Sequence, residues 1–153
     1  MLLWRLSGKR HAEALDGGYG LVFDGRWNTV GHPVTYCATS PALCVLEKLV
    51  HIEDPTLLPD LMMVTYSMPD DVGVARVTLD ALLKTWRHQE ALTQQMGDAW
   101  HRTRAMPLLQ VPSAIVPLAR SPDLNILINN AHPSASALTI VEIVPFRLDP
   151  RLI

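Results

Sequence analysis

The chain has 153 residues, 48% hydrophobic and 18% charged, with 13 Lys and Arg against 15 Asp and Glu for a net charge of −2. A domain of this length buries roughly 68–70% of its unfolded surface, enough for a core without disulfide staples. The balance excludes disorder as the default state, and it excludes a nucleic-acid scaffold, which would carry a basic surplus.

Residues 2–6 (LLWRL) read as a short strand. The surrounding MLLWRLSGKR carries Arg5 within too short an apolar run for a secretory leader, and no run approaches the ~20 apolar residues of a membrane span. A cytoplasmic location without membrane contact is therefore the expectation. Residues 16–33 hold five of the eight glycines, which predicts a loop with left-handed or closely approached backbone. Residues 34–39 (VTYCAT) read as a strand, and Cys37 and Cys44 as small buried hydrophobes in a reducing compartment.

The clearest local grammar follows. Ser40 is a good N-cap, Pro41 suits the first helical position, and ALCVLEKLVHI continues to Asp54-Pro55, which should end the helix. Leu43, Leu46 and Val50 share one face, and Glu47 lies within it, only about 40° from Leu43. A carboxylate on a buried face is costly unless it is paired or chemically employed.

Residues 61–68 alternate as a strand, 74–79 form a shorter one, and Asp80 is placed to cap a helix through ALLKTW. A further helix is expected over 93–104. Leu108–Val111 and Ala114–Pro117 read as two extended halves flanking Pro112-Ser113. Residues 125–130 form a short apolar run between amides, and 137–145 a β-run. Strands dominate, two or three helices lie between them, and βαβ alternation is absent, so the expectation is a single α+β domain covering 1–153.

Several motifs fail. Gly18-Tyr19-Gly20 is followed by Phe23 where a dinucleotide fingerprint needs glycine, there is no P-loop, and Ser113 sits in VPSAI rather than GxSxG. The six histidines form neither HxH nor HExxH, and His51, Glu53 and Asp54 read as solvated residues at a helix end, so no metal site is expected.

Four polar residues in apolar or glycine-rich settings remain: Arg26, Tyr36, Glu47 and Ser113. Each has a plain alternative. Arg26 reads equally as a surface loop charge, Glu47 as half of a buried ion pair with Arg26, Tyr36 as core, and Ser113 as a turn hydroxyl.

Taken together with their neighbours, these residues resemble a known family. GRWN (25–28), PVTYCA (33–38), SPALCVLEKLVH (40–51), LLQVPSAIVP (108–117), NILIN (125–129), HP (132–133) and FRLDPRL (146–152) occur in the order found in the RES domain. That family is named for an Arg, a Glu and a Ser, which correspond to Arg26, Glu47 and Ser113. One departure is Asn130, where the family usually has proline. The resemblance implies an ADP-ribosyltransferase-like fold and a toxin of a toxin–antitoxin pair that cleaves the nicotinamide–ribose bond of NAD⁺. It implies an Xre-type helix-turn-helix antitoxin as partner and a homodimer within the complex, with DNA contact left to the antitoxin. No prosthetic group is implied, with NAD⁺ as substrate and inorganic phosphate as an optional co-substrate.

The chemistry suits the residues. Nicotinamide departs neutral and needs no general acid, while the ribose becomes oxocarbenium-like, so one carboxylate, Glu47, can stabilise it. Arg26 is the first choice for a bidentate grip on the diphosphate and Arg5 the second. Tyr36 can stack on nicotinamide, and Ser113 can hydrogen-bond the ribose or carboxamide. Trp27, Asn28 and Asn125, within matching motifs, complete the expected NAD⁺-binding set. The competing readings are an ADP-ribosyltransferase with a protein target and a non-enzymatic interaction domain.

Overall fold

A computed structural model describes residues 1–153. In chain order the elements are β1 Leu2–Gly8, α1 Gly18–Val22, β2 Val34–Ala38, α2 Pro41–Leu49, β3 Leu61–Ser67, β4 Val74–Arg76, α3 Glu90–Thr103, β5 Leu108–Pro112, β6 Leu124–Asn129 and β7 Thr139–Phe146. The strands form one sheet in the order β4-β5-β6-β2-β1-β3-β7. All pairs are antiparallel except β4 with β5, which α3 connects as a crossover. The α+β class with three helices is as expected.

β1 pairs with β3 along its whole length, from Leu2 opposite Ser67 to Gly8 opposite Leu61. With β2 it shares a single registered pair, Trp4 opposite Ala38. The sheet therefore consists of two halves joined at that point, and α2 packs across both central strands.

Strand side chains alternate between faces, so each face builds its own core. One face gathers Leu3, Cys37, Val64, Tyr66, Leu108, Ile126 and Ile128 under Ala12 and Leu138. The other is covered in two patches. Leu43 and Cys44 of α2 meet Ala38 and Met63, while Trp27, Trp86 and Trp100 lie on Val34, Leu109, Val111 and Leu127. Fully burying one such Leu or Val side chain stabilises the fold by about 1.5–3 kcal/mol, so both faces contribute. Asn125 has Ala38 opposite it on one side and Val111 on the other, which places it where the two patches meet. Cys37 and Cys44 are buried and free, and burial pushes both thiols up to about 12.

Ser40 caps α2 as expected, accepting a hydrogen bond from the Leu43 amide at 3.1 Å and donating one to Asp123 at 2.5 Å. The helix stops at Leu49 instead of running to Asp54, whose side chain instead caps a 3-10 turn at Pro55–Leu57. Leu46 and Val50 are exposed, and the face meeting the sheet is Leu43 and Cys44, with Glu47 one turn on.

The expected helix from Asp80 through ALLKTW is replaced by 3-10 turns at Leu79–Ala81 and Trp86–His88. The first has no side-chain cap, and so short an uncapped segment cannot offset the cost of helix nucleation. The later helix begins at Glu90 rather than 93, with an acidic residue favourably placed in its first turn. Ala114–Pro117 is not a strand, because Ser113 Oγ accepts from the amides of Ile115 and Val116 and turns the chain. The glycine-rich stretch contains α1 but needs a left-handed residue where expected. Gly17 has φ +68°, and a Cβ there would lie 2.5 Å from the Pro33 carbonyl carbon. Asn130, in place of the family's proline, donates to the Leu15 carbonyl at 2.6 Å and accepts from Thr35 at 2.8 Å, tying loop to strand.

Candidate active site

Glu47, Ser113 and Asn125 meet on the α2-covered side of the sheet. Glu47 projects from the second turn of α2, Ser113 follows the end of β5, and Asn125 belongs to β6. Ser113 Oγ donates to Glu47 Oε1 at 3.1 Å, and Asn125 Nδ2 donates to the same oxygen at 2.7 Å. Ser113 is fully buried, with its one hydrogen and both lone pairs engaged. Glu47 makes no ion pair: the salt bridges of the molecule are Met1–Asp70, His32–Asp98 and Arg151–Asp149. The Arg26–Glu47 pair considered from the sequence is absent.

Tyr36 lies on the same face of β2, two residues before Ala38. Its hydroxyl donates to Asn28 Oδ1 at 2.6 Å and accepts from the Trp27 amide at 3.2 Å. Burial pushes its phenol upward, so the donor proton is retained. The hydroxyl thereby holds the GRWN loop beside the carboxylate's strand neighbours. Asn28, 1% exposed, spends its amide on the carbonyls of Phe23 and Thr29, and Trp27, 2% exposed, packs against Trp86. Both serve the loop's shape.

Arg26 is held at three points. Its guanidinium carbon lies 5.8 Å from the centre of the Trp86 ring, Nη1 donates to the Arg87 carbonyl at 3.2 Å, and its own carbonyl accepts from Thr93 Oγ1 at 2.6 Å. Such a guanidinium is oriented before any anion arrives. Arg5 lies elsewhere. It alternates with Trp4 and faces the opposite core, where Nη2 donates to the carbonyls of His11, Ala12 and Ala14 and the guanidinium lies over Tyr66. The structure thus brings together Glu47, Ser113 and Asn125, places Tyr36 on the same face of the sheet with the Arg26–Asn28 loop bonded to its hydroxyl, and puts Arg5 on the opposite face.

Sequence reasoning missed the platform beneath Arg26: Trp86, Thr93, Gln94 and Gly97. Gln94 Nε2 donates to the Gly25 carbonyl at 2.9 Å, and Gly97 lies directly against Trp27. Asp98 adds bonds to the Thr29 amide and hydroxyl, at 3.0 and 2.7 Å. Thr93, Gln94 and Asp98 lie 67–69 positions from the loop residues they bond, and no local pattern signals them. No group of three or more His, Cys, Asp or Glu side chains is placed to hold a metal ion, and no helix is long and apolar enough to cross a membrane.

The fold has a solved counterpart. A chain of the MbcT–MbcA toxin–antitoxin complex of M. tuberculosis superposes with a TM-score of 0.71 over 95% of this chain and 83% of its own, at 21% identity, which is a likeness of fold. The RES-domain family model matches residues 2–149. Toxin Res of Pseudomonas putida is 40% identical over 99% of each chain, and Toxin Res of Photorhabdus laumondii is 32% identical over 100% of this chain and 97% of its own. The Prs ADP-ribosylating toxin of Sphingobium sp. is 33% identical over 98% of this chain and 95% of its own. The chain belongs to the RES-domain family.

Proposed function

We propose that this protein is a toxin that binds NAD⁺ and breaks the bond between nicotinamide and its ribose. The observation that carries the reading is the setting of Glu47. Glu47 is half-buried, with two neutral donors fixing one of its oxygens and no cationic partner. Its charge remains available to a cation that develops during reaction.

The C–N bond breaks with its electron pair going to nicotinamide, which leaves neutral. The oxocarbenium-like ribose then takes an acceptor: water gives ADP-ribose and a proton, and inorganic phosphate gives ADP-ribose phosphate. Arg26 holds the diphosphate on its pre-oriented guanidinium, and Tyr36 keeps the loop that carries it. Capture by a protein side chain is a second reading, supported by the Sphingobium relative's designation as an ADP-ribosylating toxin.

Purified protein incubated with NAD⁺ should release nicotinamide, followed chromatographically. Repeating the incubation with phosphate present, and with a cell extract, assigns the acceptor. Absence of nicotinamide under all three conditions from the folded protein refutes the reading and favours an interaction domain.

An enzyme of this kind acts on the cytoplasmic NAD⁺ pool and needs restraint. The toxin names of the relatives and the toxin–antitoxin complex with the similar fold support an antitoxin partner, and the resemblance suggests one of the Xre type. Expression alone should arrest growth and collapse cellular NAD⁺, and co-expression with the antitoxin should restore both. Harmless expression of folded protein with unchanged NAD⁺ refutes the toxin assignment.

A further inference from the structure

Both donors to Glu47 reach the same oxygen. Ser113 and Asn125 bond Oε1, whereas Oε2 has no protein partner. Nor is Oε2 sealed inside: the buried side-chain polar atoms lacking a partner are Arg5 Nε and the Tyr66 hydroxyl. One oxygen of the carboxylate is anchored and the other is open.

Asn125 supplies the shorter of the two bonds, at 2.7 Å against 3.1 Å for Ser113. A carboxylate only accepts, so the amide must present its NH₂ to Glu47. A hydrogen bond to an ionised acceptor is stronger than a neutral one. The position of Asn125 is set by strand register, between Ala38 and Val111, rather than by a loop. Glu47 itself stands on a flexible stem and cannot hold its own orientation.

We propose that Asn125 is a positioning residue that clamps Oε1 and thereby presents Oε2 to the reacting ribose. The inference rests on the NAD⁺ cleavage proposed above. A clamp acts on the carboxylate where charge develops, so its loss lowers kcat and leaves KM nearly unchanged. Direct binding of NAD⁺ by Asn125, the expectation from sequence, would instead raise KM.

The test compares Asn125→Ala and Asn125→Asp with the parent by nicotinamide release, as a function of NAD⁺ concentration and pH. Asn125→Ala should lower kcat about tenfold with KM within about twofold. In Asn125→Asp the new carboxyl donates to Oε1 while protonated and repels it once ionised. Its rate should approach the parent's at the acid end and fall along a limb at higher pH that the parent lacks. A raised KM at unchanged kcat in Asn125→Ala, or a constant ratio of Asn125→Asp to parent across pH, overturns the proposal. If the parent releases no nicotinamide, the functional reading fails, and the clamp is decided by denaturant unfolding of Asn125→Ala, Glu47→Ala and the double variant. Non-additive midpoint shifts support it, and additive shifts overturn it.

Discussion

Gly97 is the point of closest approach between α3 and the loop that carries Arg26. A Cβ at Gly97 would lie 1.8 Å from the Trp27 carbonyl oxygen, 2.8 Å from its carbonyl carbon and 3.2 Å from its Cβ. Helix or loop must then retreat by roughly 1.5 Å, a large displacement for close-packed atoms. The loop has little freedom to do so. The Trp27 indole is buried, its amide is bonded to Tyr36, and the Arg26 and Gly25 carbonyls are held by Thr93 and Gln94. Overpacking of this kind costs about 1–3 kcal/mol, and a clash with backbone belongs at the upper end. Alanine's better helix propensity offsets about 1 kcal/mol of it. The net destabilisation of Gly97→Ala is therefore about 1–2 kcal/mol, or a Tm lowered by roughly 2–8 °C. A displacement of about 1 Å at Arg26 should also cost up to ~10²-fold in kcat/KM for NAD⁺ cleavage. Thermal melting and nicotinamide-release kinetics of the same preparation measure both effects. A Gly97→Ala variant that melts at or above the parent temperature with unchanged kcat/KM would refute the reasoning.

Glu47→Gln keeps an oxygen for Ser113 and Asn125 while losing the charge, so turnover should fall at least ~10²-fold, about 2.7 kcal/mol, with the melting curve preserved; parental turnover excludes Glu47 from the chemistry. Arg26→Lys retains a positive charge but neither the fork nor the planar contact with Trp86, so calorimetry should show NAD⁺ bound about tenfold more weakly, and equal affinity removes Arg26 from the site. Tyr36→Phe leaves Asn28 Oδ1 and the Trp27 amide without their shared partner and should destabilise by about 1–3 kcal/mol in denaturant titration; a neutral result shows that the hydroxyl does not hold the loop. His101 has a pKa lowered from the ordinary 6.5, chiefly by burial, with Pro33 and Asp98 opposing and His32 and Arg104 adding to it. Because the unfolded chain binds this proton more readily, its contribution to stability is complete above 6.5 and is lost as pH falls below that value toward the folded pKa. His101→Gln should flatten the stability curve over that acid window, and an unchanged slope would count against the assignment.

The amino-acid sequence alone determined the α+β class, the cap and start of α2 and the family motifs, because capping and motif order are written in adjacent residues; the apolar stripe expected around Glu47 is not formed, since Leu46 and Val50 are exposed. Its errors fell where local signals were weak. The stretch from Asp80 to Trp86 offered a cap residue that the chain leaves unused, and Ser113 turned a run that looked extended. Only the tertiary structure decided that Arg5 and Glu47 lie on opposite sides of the sheet, a consequence of the one register pair that joins β1 to β2. It alone decided that Glu47 is met by Ser113 and Asn125, 66 and 78 positions away, instead of by Arg26, and that α3 is the platform for the arginine loop. Contacts of that separation follow from sheet register and from how closely a helix can approach a loop, and both are properties of the packed chain rather than of any segment of it.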